Sequence, residues 1–219
     1  MSKAIDTDLK HDVEKELEFN PVIDATKIGI AASDGVVTLT GVVGSYTEKW
    51  SAEEAAKHVL GVKALANDLE VVIDTAEYRN DSDIARSALD ALKWNFSVPK
   101  DKVQVTVSKG WMTLEGEVEW DYQRRAAASA VRNLRGVCGV TNDIVVRPKA
   151  FEGDVKDKIQ AAFKRSAEIE SKNIGVQATD GTVTLSGTVH SWAERENALN
   201  AAWSAPGVKN VIDRIAIEA

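Results

Sequence analysis

The sequence predicts an α+β protein built as three tandem α-β-β-α-β domains, each with two helices packed on a three-stranded mixed sheet. Three observations predict it. The segments Asp34–Gly41, Lys109–Gly116 and Asp180–Gly187 read DGVVTLTG, KGWMTLEG and DGTVTLSG. They recur at offsets of 75 and 71 residues, and both offsets hold without gaps across almost the whole chain. Within each copy, apolar residues at helical spacing give way to apolar residues in alternation. The three domains are placed at residues 5–75, 78–148 and 150–219.

Each copy opens with a helix. Leu9, Val13 and Leu17 lie on one face at a spacing of four, as do Ile84, Ala88 and Leu92, and Val155, Ile159 and Phe163. A strand follows, in which Ile28, Ile30 and Ala32 alternate inward. Asp34-Gly35, Lys109-Gly110 and Asp180-Gly181 then make two-residue hairpin turns, where glycine accepts the positive φ that such turns require. The second strand puts Val37, Leu39, Gly41 and Val43 on one face; Met112, Leu114, Gly116, Val118 and Val183, Leu185, Gly187, Val189 are their counterparts. The absent side chain at Gly41, Gly116 and Gly187 is read as room for a helix to approach the sheet. An alanine-rich second helix spans Ala52 to Leu60 and its equivalents, ending at a recurring Gly-Val where glycine suits a helix C-terminus. A third strand closes each copy, at Leu69–Ile73, Ile144–Val146 and Ile215–Ile217. Domains of about seventy residues have small cores, so contacts between copies are expected to add stability. The joints Asp74–Asn80 and Arg147–Glu152 are too short for freely swinging domains.

The element order, the Asp-Gly-x-Val-x-Leu-x-Gly hairpin, and the late Gly-Val followed by Asn-Asp together resemble the BON domain. This is a module of OsmY-like bacterial proteins, also called the transport-associated domain. The resemblance covers all three copies. It implies a non-catalytic bacterial module tied to phospholipid or cell-envelope association and to osmotic or other stress. It also implies an alternative, since some cytoplasmic members that carry a LysM domain bind potassium. Such a protein would be a monovalent-cation sensor, and no LysM-like segment is visible here.

Charge narrows the partners. The net charge is −7 and the pI about 5.1, which argues against a protein built to hold nucleic acid. The charge is uneven: residues 1–76 carry −7, residues 77–148 carry +1 and residues 149–219 carry −1. The opening MSKAIDTDLKHDVEKELE lacks the apolar core of a secretory signal, so the sequence as written reads as cytoplasmic, and as periplasmic if a signal has been removed.

Catalytic and metal-binding groups are scarce. His11, His58 and His190 fall at positions unrelated by the repeat, and Cys138 is the only cysteine. A zinc site needs several nitrogen or sulfur ligands together, and a nucleophilic thiol needs a positioned base. No phosphate-binding glycine pattern or calcium-loop spacing appears. The acidic residues of the first helix, Asp8, Asp12, Glu14, Glu16 and Glu18, read as a solvated face. No enzyme activity, cofactor or metal is expected.

Two features suggest contact with a partner. Trp111 points outward with Thr113, Glu115 and Glu117, while Trp50, Trp120 and Trp192 sit near the junction of second strand and second helix. Packing between copies is the favoured reading, and an interfacial anchor the alternative. In the middle copy, Arg124, Arg125, Arg132 and Arg135 fall on one side of a helix, with Ala126, Ala127, Ala130, Val131 and Leu134 opposite. With Trp120 and Tyr122 beside it, this arginine face is the candidate contact for anionic phospholipid or for another protein.

Overall fold

A computed structural model describes residues 2–75, 78–149, 153–166, 169 and 173–218, with side chains from residue 6 onward. The joints 74–80 and 147–152 each include residues outside that set. Copy one comprises α1 (Ser2–Phe19), β1 (Ile28–Ser33), β2 (Val36–Val43), α2 (Tyr46–His58) and β3 (Ala64–Val71). Copy two comprises α3 (Asp81–Trp94), β4 (Val103–Ser108), β5 (Trp111–Val118), α4 (Asp121–Arg132) and β6 (Gly139–Val146). Copy three comprises α5 (Val155–Arg165), β7 (Ile174–Thr179), β8 (Thr182–Val189), α6 (Trp192–Trp203) and β9 (Asn210–Ile217).

Each copy forms its own three-stranded sheet, with the strands in chain order and the second strand central. The first pair is antiparallel, with Ser33 opposite Val36, Ser108 opposite Trp111 and Thr179 opposite Thr182. Only two residues lie between, and both have positive φ: 52° and 82° at Asp34-Gly35, 52° and 77° at Lys109-Gly110, 50° and 81° at Asp180-Gly181. That is the twisted turn that suits a tight hairpin. The second pair is parallel in copies two and three, joined through the crossover helix. In those copies both helices contact the sheet and each other. The predicted stripes form the cores. Val13, Leu17, Val37, Leu39, Ile84, Ala88, Met112, Leu114, Ile159, Phe163, Val183 and Leu185 are all buried.

The third strand starts earlier than the sequence predicts, at Ala64, Gly139 and Asn210. Its anchor is the hairpin. The carbonyl of Gly35 accepts from Lys63 N–H at 2.8 Å, that of Gly110 from Cys138 N–H at 2.9 Å, and that of Gly181 from Lys209 N–H at 2.7 Å. Parallel pairing follows directly from there, through polar residues such as Thr141, Asn142 and Asp143 that hide the strand from a hydrophobic reading. The second helix likewise begins earlier, at Tyr46, Asp121 and Trp192, and α2 ends at His58, before the predicted Leu60.

The strand glycines need a correction. What approaches Gly41, Gly116 and Gly187 is not a helix. A Cβ there would lie 2.1, 2.0 and 1.9 Å from the carbonyl oxygens of Lys27, Lys102 and Asn173, where the chain enters the first strand. Their φ values are +126°, +140° and +129°. Both the backbone conformation and the absent side chain are therefore required.

The chain clusters into two compact units. One holds Met1–Gly41, Ser51–Asp68 and Lys149–Ala219; the other holds Val42–Trp50 and Leu69–Pro148. Copy three thus shares a unit with most of copy one, and copy two shares a unit with the start of α2.

Candidate functional site

The arginine face of α4 is built on a buried carboxylate. Asp121, at the first position of the helix, is only 2% exposed. Three and four residues on, Arg124 and Arg125 return to it, Arg124 through a guanidinium nitrogen on Oδ1 and Arg125 through Nε on Oδ2 at 2.8 Å. An acid at a helix start also meets the positive end of the helix dipole. The Arg124 side chain is 29% exposed and that of Arg125 48%. Arg132 lies over the Trp50 ring at 3.6 Å from its centroid, and its carbonyl, with the Asn133 side chain, faces the Thr47 hydroxyl. Arg135 and Tyr122 are exposed, and Trp120 is half-buried. The structure places Arg124, Arg125 and Arg132 on α4 and commits all three to partners within the protein, whereas Arg135, expected on the same helical face, lies in the turn beyond the end of the helix.

A different surface in the same copy is open. At the end of α3, Trp94 is 85% exposed, and Phe96, two residues on, is fully exposed. Between them Asn95 caps the helix, and its side chain reaches the Ala126 carbonyl of α4 at 3.5 Å. Its Oδ1 accepts from Ser97 N–H at 3.0 Å. Beneath the turn Val98 is buried. The aromatic pair is thus held on a short, pinned turn beside α4. Lys93, Lys100 and Lys102 flank it, all exposed. The sequence contained a signal for Trp94: two residues past Leu92, it lies about 200° from the buried stripe. Phe19 stands at the equivalent place in copy one and is also exposed.

The other tryptophans are occupied. Trp111 lies on the outer face of its sheet, half-exposed, and donates from Nε1 to Thr141 Oγ1 at 2.8 Å. Its ring covers Gly139, where a Cβ would come within 2.4 Å of it. Trp192 lies under Lys57 of copy one and Arg195 of its own helix, at 5.6 and 4.7 Å from the ring centroid. Burial pulls the Lys57 ammonium down, but hydrogen bonds and charge from Glu53 and Glu54 outweigh it and hold it above its ordinary value.

Groups with chemical potential are tied into the scaffold. Cys138 is half-buried, and burial, with the Asp81 charge nearby, pushes its thiol up. The Asp81 carboxylate accepts from the turn amides of Lys109 and Gly110 at 2.8 and 2.9 Å. His58 Nδ1 faces the Glu54 carbonyl at 2.8 Å, and His190 Nδ1 faces the Glu218 carbonyl at 3.3 Å. Among the described residues no three His, Cys, Asp or Glu side chains are grouped to hold a metal, and no helix is long and apolar enough to cross a membrane.

Comparison with known proteins agrees with this architecture. The BON domain family matches residues 5–73, 80–148 and 152–219. The osmotically-inducible protein Y of Escherichia coli (strain K12) is 31% identical over 143 residues, covering 61% of this chain and 71% of that protein. Among solved structures, CdsD, a structural protein of the type III secretion system of Chlamydia trachomatis, aligns over 96% of this chain and 92% of its own at 15% identity, with a TM-score of 0.27. A second structure, of the CdsD C-terminal domain, aligns over 97% and 98% at the same identity and score. At that score the alignments carry no weight for this chain.

Proposed function

The chain belongs to the BON domain family, and from that premise we propose that it is a non-catalytic, stress- and envelope-associated binding module that docks on anionic phospholipid through its middle copy. The osmotic induction named for its E. coli relative supports the stress assignment. The observation that carries the docking site is the exposed Trp94–Phe96 pair among Lys93, Lys100 and Lys102. Aromatic rings with one wet edge settle at a membrane interface. Basic residues near an anionic surface add about 1 kcal/mol each. Tyr122 on α4 and Arg135 in the turn after it are further exposed aromatic and basic side chains of the same copy. The copies differ in the right sense, because the −7 of residues 1–76 is repelled by such a surface, whereas residues 77–148 carry +1.

The buried Asp121 decides how the reading is tested. Reversing Arg124 and Arg125 to glutamate would set three carboxylates against one another, and loss of binding would then report loss of fold. The informative variants are Trp94→Ser with Phe96→Ser, and Lys93→Glu with Lys100→Glu and Lys102→Glu. All five side chains stand in solvent. Wild type is expected to sediment with vesicles containing phosphatidylglycerol and to be released as salt rises, because screening shortens to about 8 Å at physiological ionic strength. Both variants are expected to stay in the supernatant with unchanged circular dichroism. Equal sedimentation of wild type and variants would remove this surface as the docking site.

A further inference from the structure

A groove of about 340 Å³ lies in copy three, between α5 and the end of α6 with the turn that follows it. Ala161, Ala162, Ala201, Ala205 and Pro206 line it, together with Lys158 and Arg165, which are exposed. Larger side chains stand at the same places in the other copies. Ala161, Ala205 and Pro206 correspond to Lys15, Val59 and Leu60 in copy one, and to Asp90, Leu134 and Arg135 in copy two. The groove is thus a feature of copy three, made by its small residues.

The helix beside the groove reverses the charge of its counterpart in copy one. Residues 158–165 read KIQAAFKR, with three basic residues and no acid; residues 12–19, at the same place in α1, read DVEKELEF, with four acids and one lysine. Lys158 stands where copy one has Asp12, Lys164 where it has Glu18, and Arg165 where it has Phe19. Asp12 and Glu18 are exposed, and Phe19 is 85% exposed. Phe19 and the groove belong to the same compact unit, so this open ring does not fill the groove of its own chain. Trp94 and Phe96 are also open, but they stand among lysines, the same sign as the groove's rim.

An apolar groove with a basic rim suits an apolar group carried among acids. We infer that it receives Phe19 of a second copy of this chain, with Asp12 and Glu18 of that copy facing Lys158, Lys164 and Arg165. Ring and groove lie on different repeats, so the contact is head-to-tail, and the chain that gives its Phe19 still offers its own groove. One ring and a few charge pairs bury far less than the roughly 1,600 Å² of a stable interface, so the association is weak, and screening of its exposed charges makes it salt-sensitive. It uses neither Trp94 nor Phe96 and does not depend on the lipid reading.

The test is the apparent mass of the full chain, read by small-angle X-ray scattering in low salt up to about 1 mM, where a Kd of that order leaves much of the protein associated. Wild type is expected to rise with concentration toward the mass of a dimer and to fall back at high salt. Phe19→Ser, which keeps the net charge, is expected to stay at the mass of one chain, and Trp94→Ser to behave as wild type. Two charge reversals, Lys164→Glu with Arg165→Glu and Asp12→Lys with Glu18→Lys, change only exposed side chains. Each is expected to stay monomeric with unchanged circular dichroism. Mixed in equal amounts they are expected to associate again, because the unaltered α1 of the first meets the unaltered groove of the second. A wild type that stays monomeric throughout, an association that survives Phe19→Ser or is lost with Trp94→Ser, or a mixture no heavier than its two components overturns the proposal.

Discussion

Gly116 cannot be another residue for two separate reasons, a φ of +140° and a carbonyl 2.0 Å from where a Cβ would stand. Gly116→Leu is expected to cost roughly 2 kcal/mol or more, read as a lowered melting temperature. Gly44→Ala is the control. Its Cβ would meet Glu48 Oε2 at an ordinary 3.7 Å, and a change within about 0.5 kcal/mol is expected. The sequence marked these strand glycines by recurrence and assigned them to packing, but the object they pack against was not legible. A carbonyl at the start of the preceding strand leaves no side-chain signature. Cys138 was legible as unremarkable, and the structure gives the reason. It occupies the position of Lys63 and Lys209, whose backbone N–H anchors the third strand. Burial first, and the Asp81 charge second, raise its thiol above the ordinary value of a cysteine. Since only the thiolate reacts, alkylation by iodoacetamide is expected to rise with a midpoint above that value. Asp81→Asn should move the midpoint down, and a midpoint near neutrality would contradict the assignment.

At the scale of elements, the starts of the second helices were the least legible. Ser45 Oγ accepts from Glu48 N–H at 3.1 Å, while Glu48 Oε2 accepts from Gly44 N–H at 2.9 Å. Ser191 and Glu194 repeat the arrangement at 3.2 and 2.9 Å. These are capping boxes, present in the sequence as Ser-x-x-Glu at matching positions but masked by the alanine-rich stretch that follows. In copy two Trp120 replaces the serine, and Gln123 Oε1 instead takes both the Glu119 and Trp120 N–H groups, each at 3.0 Å. Ser45→Ala and Ser191→Ala are each expected to destabilise by about 1 kcal/mol, measured by denaturant unfolding. No change in midpoint would contradict the capping assignment. Arg124, Arg125 and Arg132 were legible as one helical arc because angular position depends only on sequence, but the arc does not extend to Arg135, since α4 ends at Arg132. That Asp121 holds Arg124 and Arg125 was also within reach, since acid and base three and four apart on a helix are neighbours. That Arg132 stacks on Trp50 was not, because the partner comes from another copy. The recurring Asn67, Asn142 and Asp213 proved to be ties from third strand to second helix: to Glu53 at 3.0 Å, to the Arg124 carbonyl at 2.9 Å and from Arg195 at 2.7 Å.

At the scale of the whole molecule, one scaffold is used three times with different surfaces. The repeat was legible because three copies in one chain act as their own comparison, and hairpin, stripes and Gly-Val recur in register. The proposed docking surface rests on a difference between copies, written in residues the scaffold does not need. Trp94 and Phe96 contribute nothing to their own core, yet stand exposed among lysines in the one copy whose charge is positive. The most direct test of that assignment is hydrogen exchange of the full chain, read by mass spectrometry with and without phosphatidylglycerol vesicles. The account predicts slowed exchange in peptides spanning residues 89–102 and the facing part of α4, with copies one and three unchanged. Slowed exchange confined to copy one or three, or no change anywhere with protein bound to the vesicles, would contradict it.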